Sequence, residues 1–81
     1  MNASAITVPD LGFGGRPVVV GQWLVGPGDE VVAGDRLAEL LCDSMLFYAE
    51  AEQGGRFGRT LVDSGTRVEA GQTIGEMTAA A

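Results

Sequence analysis

The sequence predicts an all-β fold: a flattened barrel or sandwich of two antiparallel sheets related by approximate two-fold symmetry. Three observations carry this. Strand-like apolar runs are short and are separated by Gly, Pro, Asp and Ser signals that recur about every 8–12 residues, the rhythm of an all-β chain. Thirteen glycines in 81 residues imply many turns. A stretch of the chain also repeats itself, and the copies are two rather than many, which favours two half-sheets face to face over a solenoid.

The repeat has an offset of 37 residues, from Leu24–Leu40, LVGPGDEVVAGDRLAEL, to Leu61–Met77, LVDSGTRVEAGQTIGEM. Seven of 17 aligned positions are identical: Leu24/Leu61, Val25/Val62, Gly28/Gly65, Val31/Val68, Ala33/Ala70, Gly34/Gly71 and Glu39/Glu76. Leu37/Ile74 and Leu40/Met77 keep apolar character. Each copy reads as a strand end, a turn closed by Gly28 or Gly65, a very short strand at Val31 or Val68, a second turn at Gly34 or Gly71, and a longer strand. The glycines are expected to supply positive φ.

In chain order the strands are expected at Ala5–Val8, Val18–Val25, Arg36–Leu41, Met45–Ala51, Arg56–Val62 and Thr73–Met77. The run RLAELLC could be argued as helical. It is only seven residues between turn signals, and its repeat partner QTIGEM contains a Gly, so it is assigned as strand. One domain spans residues 1–81, with its core over about 5–77 and a tail or linker start at 78–81. A domain this small has a thin core.

Charge and missing residue types exclude several functions. Eleven acids against five arginines give a net charge of −6. That opposes binding to nucleic acid or to an anionic membrane surface. No run approaches the roughly 20 apolar residues of a membrane span, and the N-terminus lacks signal-peptide features. The expectation is a cytoplasmic protein. With no His and one Cys there is no histidine base, no Ser-His-Asp triad and no structural zinc site. With no Lys there is no phosphate loop, and LGFGGR lacks dinucleotide spacing and context. No catalytic residue and no metal ligand is assigned.

The segment between the copies turns at Cys42-Asp43-Ser44, which places an exposed hairpin tip on two rigid strands, a common place for binding function. Asp and Ser suit a solvated turn. Cys42 has no basic sequence neighbour to activate its thiol and is read as a packed or half-exposed side chain. Glu50 and Glu52, two apart, are expected on one strand face, where a solvated role outweighs acid-base work. Trp23, Phe47, Tyr48 and Phe57 are read as core or half-core aromatics.

These residues resemble the biotinyl/lipoyl domain family, and within it the lipoyl domains of acyltransferase components of 2-oxo acid dehydrogenase complexes. ITVPDLG, Ile6 to Gly12, is similar to the family's opening strand. WLVGPGDEVVAGDRLAEL, Trp23 to Leu40, is similar to its W-L-V-x-x-G-D-x-V-x-x-G-D-x-L-A-E run. GGRFGRTLVDSGTRVEAGQTIGEM is similar to the second half. The resemblance covers about residues 5–77 and implies the same flattened barrel. It also implies that the Cys42–Met45 turn is the cofactor hairpin, which reads Asp-Lys-Ala in lipoyl domains and Met-Lys-Met in biotinyl ones. Asp43 matches the lipoyl residue before the lysine, and Met45 is similar to the biotinyl residue after it. Ser44 stands at the position of the modified lysine.

A serine hydroxyl is not a target for the amide chemistry that attaches lipoyl or biotin, so neither cofactor is expected. The resemblance then implies a lysine-less interaction or accessory module whose partners are protein subunits of a dehydrogenase or carboxylase complex. Two alternatives stay open. One is a carrier domain whose site is degenerate or altered. The other rests on Asp43-Ser44-Met45 being similar to the Asp-Ser-Leu tip of acyl carrier proteins, whose serine holds phosphopantetheine; there the motif opens a helix. The loop Gly12–Pro17 is expected near the tip, where it could serve partner recognition. The Ala-rich tail resembles the linkers that follow lipoyl domains.

Overall fold

In the computed structural model, residues 4–12 and 14–78 are described, and they form eight strands. In order these are β1 (Ser4–Thr7), β2 (Val18–Trp23), β3 (Glu30–Val31), β4 (Arg36–Cys42), β5 (Met45–Glu50), β6 (Gly55–Thr60), β7 (Arg67–Val68) and β8 (Thr73–Thr78). They make two antiparallel four-stranded sheets, ordered β1-β8-β6-β3 and β5-β4-β2-β7. No helix in the described residues is long and apolar enough to cross a membrane.

The repeat becomes the symmetry of the fold. β6, β7 and β8 start 37 residues after β2, β3 and β4. Each sheet then has the same plan, with β1 taking in one sheet the place of β5 in the other. The short strands cross over: β3 pairs with β6 of the second copy, and β7 with β2 of the first. Neither copy can complete its sheet alone, so the two fold as one unit.

The turns obey the same symmetry down to individual hydrogen bonds. Gly28 N donates to Phe57 O at 2.8 Å, and Gly65 N donates to Val20 O at 2.7 Å. These glycines adopt φ of 89° and 90°, a region that costs an L-residue about 1–2 kcal/mol. At the second corner the Asp35 carboxylate accepts from Val32 N at 2.9 Å, and the Gln72 amide oxygen accepts from Glu69 N at 3.0 Å. Two different side chains thus close equivalent corners, because both corners need an acceptor rather than a charge.

The core lies between the sheets. Val20, Leu37, Leu40, Phe57 and Ile74 are fully buried, with Ile6, Val8, Val18, Val31, Val68 and Met77 around them. Irregular register at Arg36/Ala38 accompanies two successive buried residues, Leu37 and Ala38, a pattern strict alternation forbids. Trp23 covers one side of this core. Its ring centroid is 5.4 Å from that of Phe57, and its indole Nε1 donates to Val62 O at 3.0 Å. The RLAELLC segment is a strand, as its repeat partner required.

Several boundaries differ from expectation. β2 and β6 end at Trp23 and Thr60, two residues before Val25 and Val62. In both, the register shifts at a bulge, Val20/Trp23 and Phe57/Arg59, after which the chain leaves the ladder. Leu24 N and Leu61 N still donate to Leu37 O and Ile74 O, both at 2.9 Å, which explains their strand-like sequence. β1 begins at Ser4 and ends at Thr7, β4 reaches Cys42, and β8 reaches Thr78, whose hydroxyl donates to Arg56 O. β5 stops at Glu50. The tail beyond 78 and Phe13 lie outside the described residues.

Candidate functional site: the β4–β5 hairpin

β4 and β5 pair through their whole length, ending at Cys42 opposite Met45. Two residues, Asp43 and Ser44, therefore make the turn. Asp43 has φ of 54° and is the one non-glycine residue with positive φ among the described residues. Aspartate tolerates this region better than most residues because its short carboxylate can satisfy nearby polar groups. Asp43, Ser44 and Met45 are all exposed, while Cys42 just below them is fully buried. The thiol is thus a packed side chain, and the tip stands on a closed core.

The β1–β2 loop reaches this tip. Arg16 Nη1 lies 2.9 Å from Asp43 Oδ2, an ion pair across 27 residues of sequence. Both side chains are about half exposed, at 54% and 56%, so the pair is worth less than about 1 kcal/mol. Its effect is geometric: it ties the Gly12–Pro17 loop to the hairpin. Gly12 N donates to Asp10 Oδ1 at 3.1 Å and folds the start of that loop.

The other candidates separate. Glu50 ends β5 and Glu52 lies beyond it, so they do not share a strand face as expected; both are exposed. Glu50 instead faces Arg36 across the β4–β5 ladder. The Arg36 guanidinium lies 4.2 Å from the centroid of the Tyr48 ring, in cation–π geometry. Phe57 is a core residue, Trp23 and Phe47 pack partly buried against the core, and Tyr48 is half-buried. No group of three His, Cys, Asp or Glu among the described residues could hold a metal. The tip offers a carboxylate, a hydroxyl and a thioether, and the chain has no lysine amine anywhere.

The Arg16–Asp43 ion pair was absent from the sequence reading, because no local pattern links residues 27 apart. The Arg36–Tyr48 pair could have been found by registering the two strands: Glu50 sits opposite Arg36, and Tyr48 is two residues from Glu50, the diagonal position.

The family model described as "Biotin-requiring enzyme", for biotin and lipoyl domains, matches residues 4–77. The chain is 39% identical over 70 residues to the dihydrolipoyllysine-residue succinyltransferase component of the 2-oxoglutarate dehydrogenase complex of Bacillus subtilis, covering 86% of this chain and 17% of that protein. It is 32% identical over 77 residues to the same component from Escherichia coli K12, covering 95% of this chain and 19% of that protein. The chain thus spans less than a fifth of these relatives. In fold it is similar to Kluyveromyces lactis urea carboxylase, with a TM-score of 0.81 at 19% identity over 96% of this chain and 6% of that one. It is similarly close to the lipoyl domain of the Azotobacter vinelandii 2-oxoglutarate dehydrogenase complex, with a TM-score of 0.73 at 21% identity over 95% of this chain and 98% of that one.

Proposed function

We propose that this chain, which belongs to the biotin/lipoyl domain family, is a recognition module that works without a covalent cofactor in a 2-oxo acid dehydrogenase-type assembly. The single observation behind this is the tip. The resemblance to lipoyl and biotinyl hairpins puts Ser44 at the position of their modified lysine, and the sequence contains no lysine. Lipoyl and biotin are joined to protein through an amide on a primary amine. The hydroxyl of Ser44, the carboxylate of Asp43 and the thioether of Met45 do not fit that chemistry, so no step is routed through either cofactor. The module has no catalytic residues of its own.

Its partners are protein subunits of a dehydrogenase or carboxylase complex, and its setting is cytoplasmic. The succinyltransferase components it resembles support the first kind of complex. Intact mass spectrometry of the protein isolated from its native source tests the reading. The expected mass is that of the unmodified chain; a lipoyl, biotinyl or phosphopantetheinyl addition on the hairpin overturns it. Ser44→Lys, incubated with lipoate ligase and lipoate or biotin ligase and biotin, tests the scaffold separately. Modification of Lys-bearing protein alone is expected, because the exposed two-residue turn is otherwise intact.

A further inference from the structure

We infer that the outer face of the β5-β4-β2-β7 sheet beside the tip is a docking surface for a protein partner whose contact patch is apolar and ringed by lysine or arginine. The inference rests on the reading of this chain as a recognition module, and names the chemistry of what is recognised. One register row crosses the sheet. Arg67 pairs with Val19, Val19 with Leu41, and Leu41 with Leu46. Residues opposite one another in antiparallel strands point to the same face. Leu41 and Leu46 are 41% and 50% exposed, so this is the solvent face. Leu46 continues into an open groove along β5 that is also lined by Leu11, itself 56% exposed, and by Tyr48. The two leucines gain a modest cross-strand contact, but each keeps about half of its surface in water, a cost that a covering partner removes.

The symmetry of the fold supplies an internal control. The counterparts of Val19 and Leu41 in the other sheet are Arg56 and Thr78. Arg56 pairs with Glu30 at 3.0 Å, and Arg59 pairs with Glu76 at 2.9 Å. That face is polar and its charges are matched internally. The architecture therefore accepts polar residues at these positions, and the apolar Val19–Leu41–Leu46 stretch of the row is a property of one face only.

Charge sets the kind of partner. Four acids and four arginines lie in the strands, whereas seven acids and one arginine lie in the connecting segments. The whole net charge of −6 thus sits on the loops that border neutral sheet faces. At the tip end those acids are Asp10, Asp43 and Glu69, against Arg16, which pairs with Asp43, and Arg67 at the β7 end of the row, so acids outnumber arginines there; Asp10 and Glu69 line one cleft beside Arg16. An apolar centre with an acidic border is complementary to an apolar patch with a basic border. A second copy of this chain would set acidic border against acidic border, which opposes self-association.

The test pans a random peptide library displayed on phage against the folded protein and measures the selected peptides by fluorescence polarisation. Enriched peptides are expected to combine Leu, Phe or Met with two or more basic residues and to bind more weakly as salt rises. Leu41→Ser and Leu46→Ser are each expected to weaken binding by about tenfold, and Glu69→Gln by less. Both leucines are exposed, so the variants should keep native circular dichroism; Leu41→Gln and Leu46→Gln serve if a serine variant does not. The inference is overturned by no enrichment, by an acidic consensus, by peptides indifferent to both leucine variants, or by concentration-dependent dimers that Leu46→Ser abolishes. A covalent group on Ser44 is read by mass instead, so failure of the cofactor-free reading is recognised independently.

Discussion

Leu37 and Ile74 are equivalent under the 37-residue repeat, and both are fully buried. Replacing either by Ala removes three carbons. At about 0.8 kcal/mol for each, transfer alone costs about 2.4 kcal/mol, and the residual cavity brings the total to about 3–5 kcal/mol. The whole domain, at about 0.05–0.15 kcal/mol per residue, has about 4–12 kcal/mol to lose. Each single variant should therefore show a clearly lower urea midpoint, and the two costs should agree within about 2 kcal/mol, the scatter that context gives one chemistry. The double variant should be largely unfolded at the lower end of that stability range. Urea titration followed by Trp23 emission and by far-ultraviolet circular dichroism reads this directly, since Trp23 is the one tryptophan and rests on the core. The reasoning is refuted if either variant costs under about 1 kcal/mol, because that half of the core would then be loosely packed despite its burial.

Two further predictions concern local geometry. Gly58→Ala would place a Cβ 2.9 Å from the Glu76 carbonyl oxygen, a backbone atom that cannot move aside. Its counterpart Gly21→Ala meets Glu39 less closely: Oε1 at 3.3 Å can swing away, while Cβ at 3.2 Å, held by the backbone, must give by a few tenths of an ångström. Gly58→Ala should cost about 1–3 kcal/mol and Gly21→Ala less than Gly58→Ala, because its closest contact is longer; equal urea midpoints would contradict this. Asp43→Asn removes the exposed Arg16 ion pair while keeping a residue suited to positive φ. The loss should be about 0.5 kcal/mol, or about 2–4 °C in Tm by scanning calorimetry; a fall above about 8 °C would mean the pair does more than tie a loop.

How far the sequence reached depends on how local each cause is. The turns were legible because Gly28 and Gly65 answer a steric demand confined to one residue. The hairpin was legible because two apolar runs flank two turn-forming residues. Strand ends were less so, since Leu24 and Leu61 keep a ladder hydrogen bond after their strands have ended. Glu50 and Glu52 were misplaced for a related reason: period-two reasoning holds only while the chain stays in the ladder, and it leaves at Glu50.

By itself the sequence determined that this is a two-fold all-β domain, that its exposed hairpin carries Ser44, and that these 81 residues include no lysine. Those properties follow from composition, from the repeat and from single-residue backbone preferences, which need no knowledge of what packs where. Only the tertiary structure decided that the short strands exchange between copies, that Arg16 meets Asp43, and that one sheet face carries an apolar Val19–Leu41–Leu46 stretch where its symmetric partner is ion-paired. Each of these depends on residues far apart in sequence, and the repeat says which positions are equivalent without saying which neighbours they acquire.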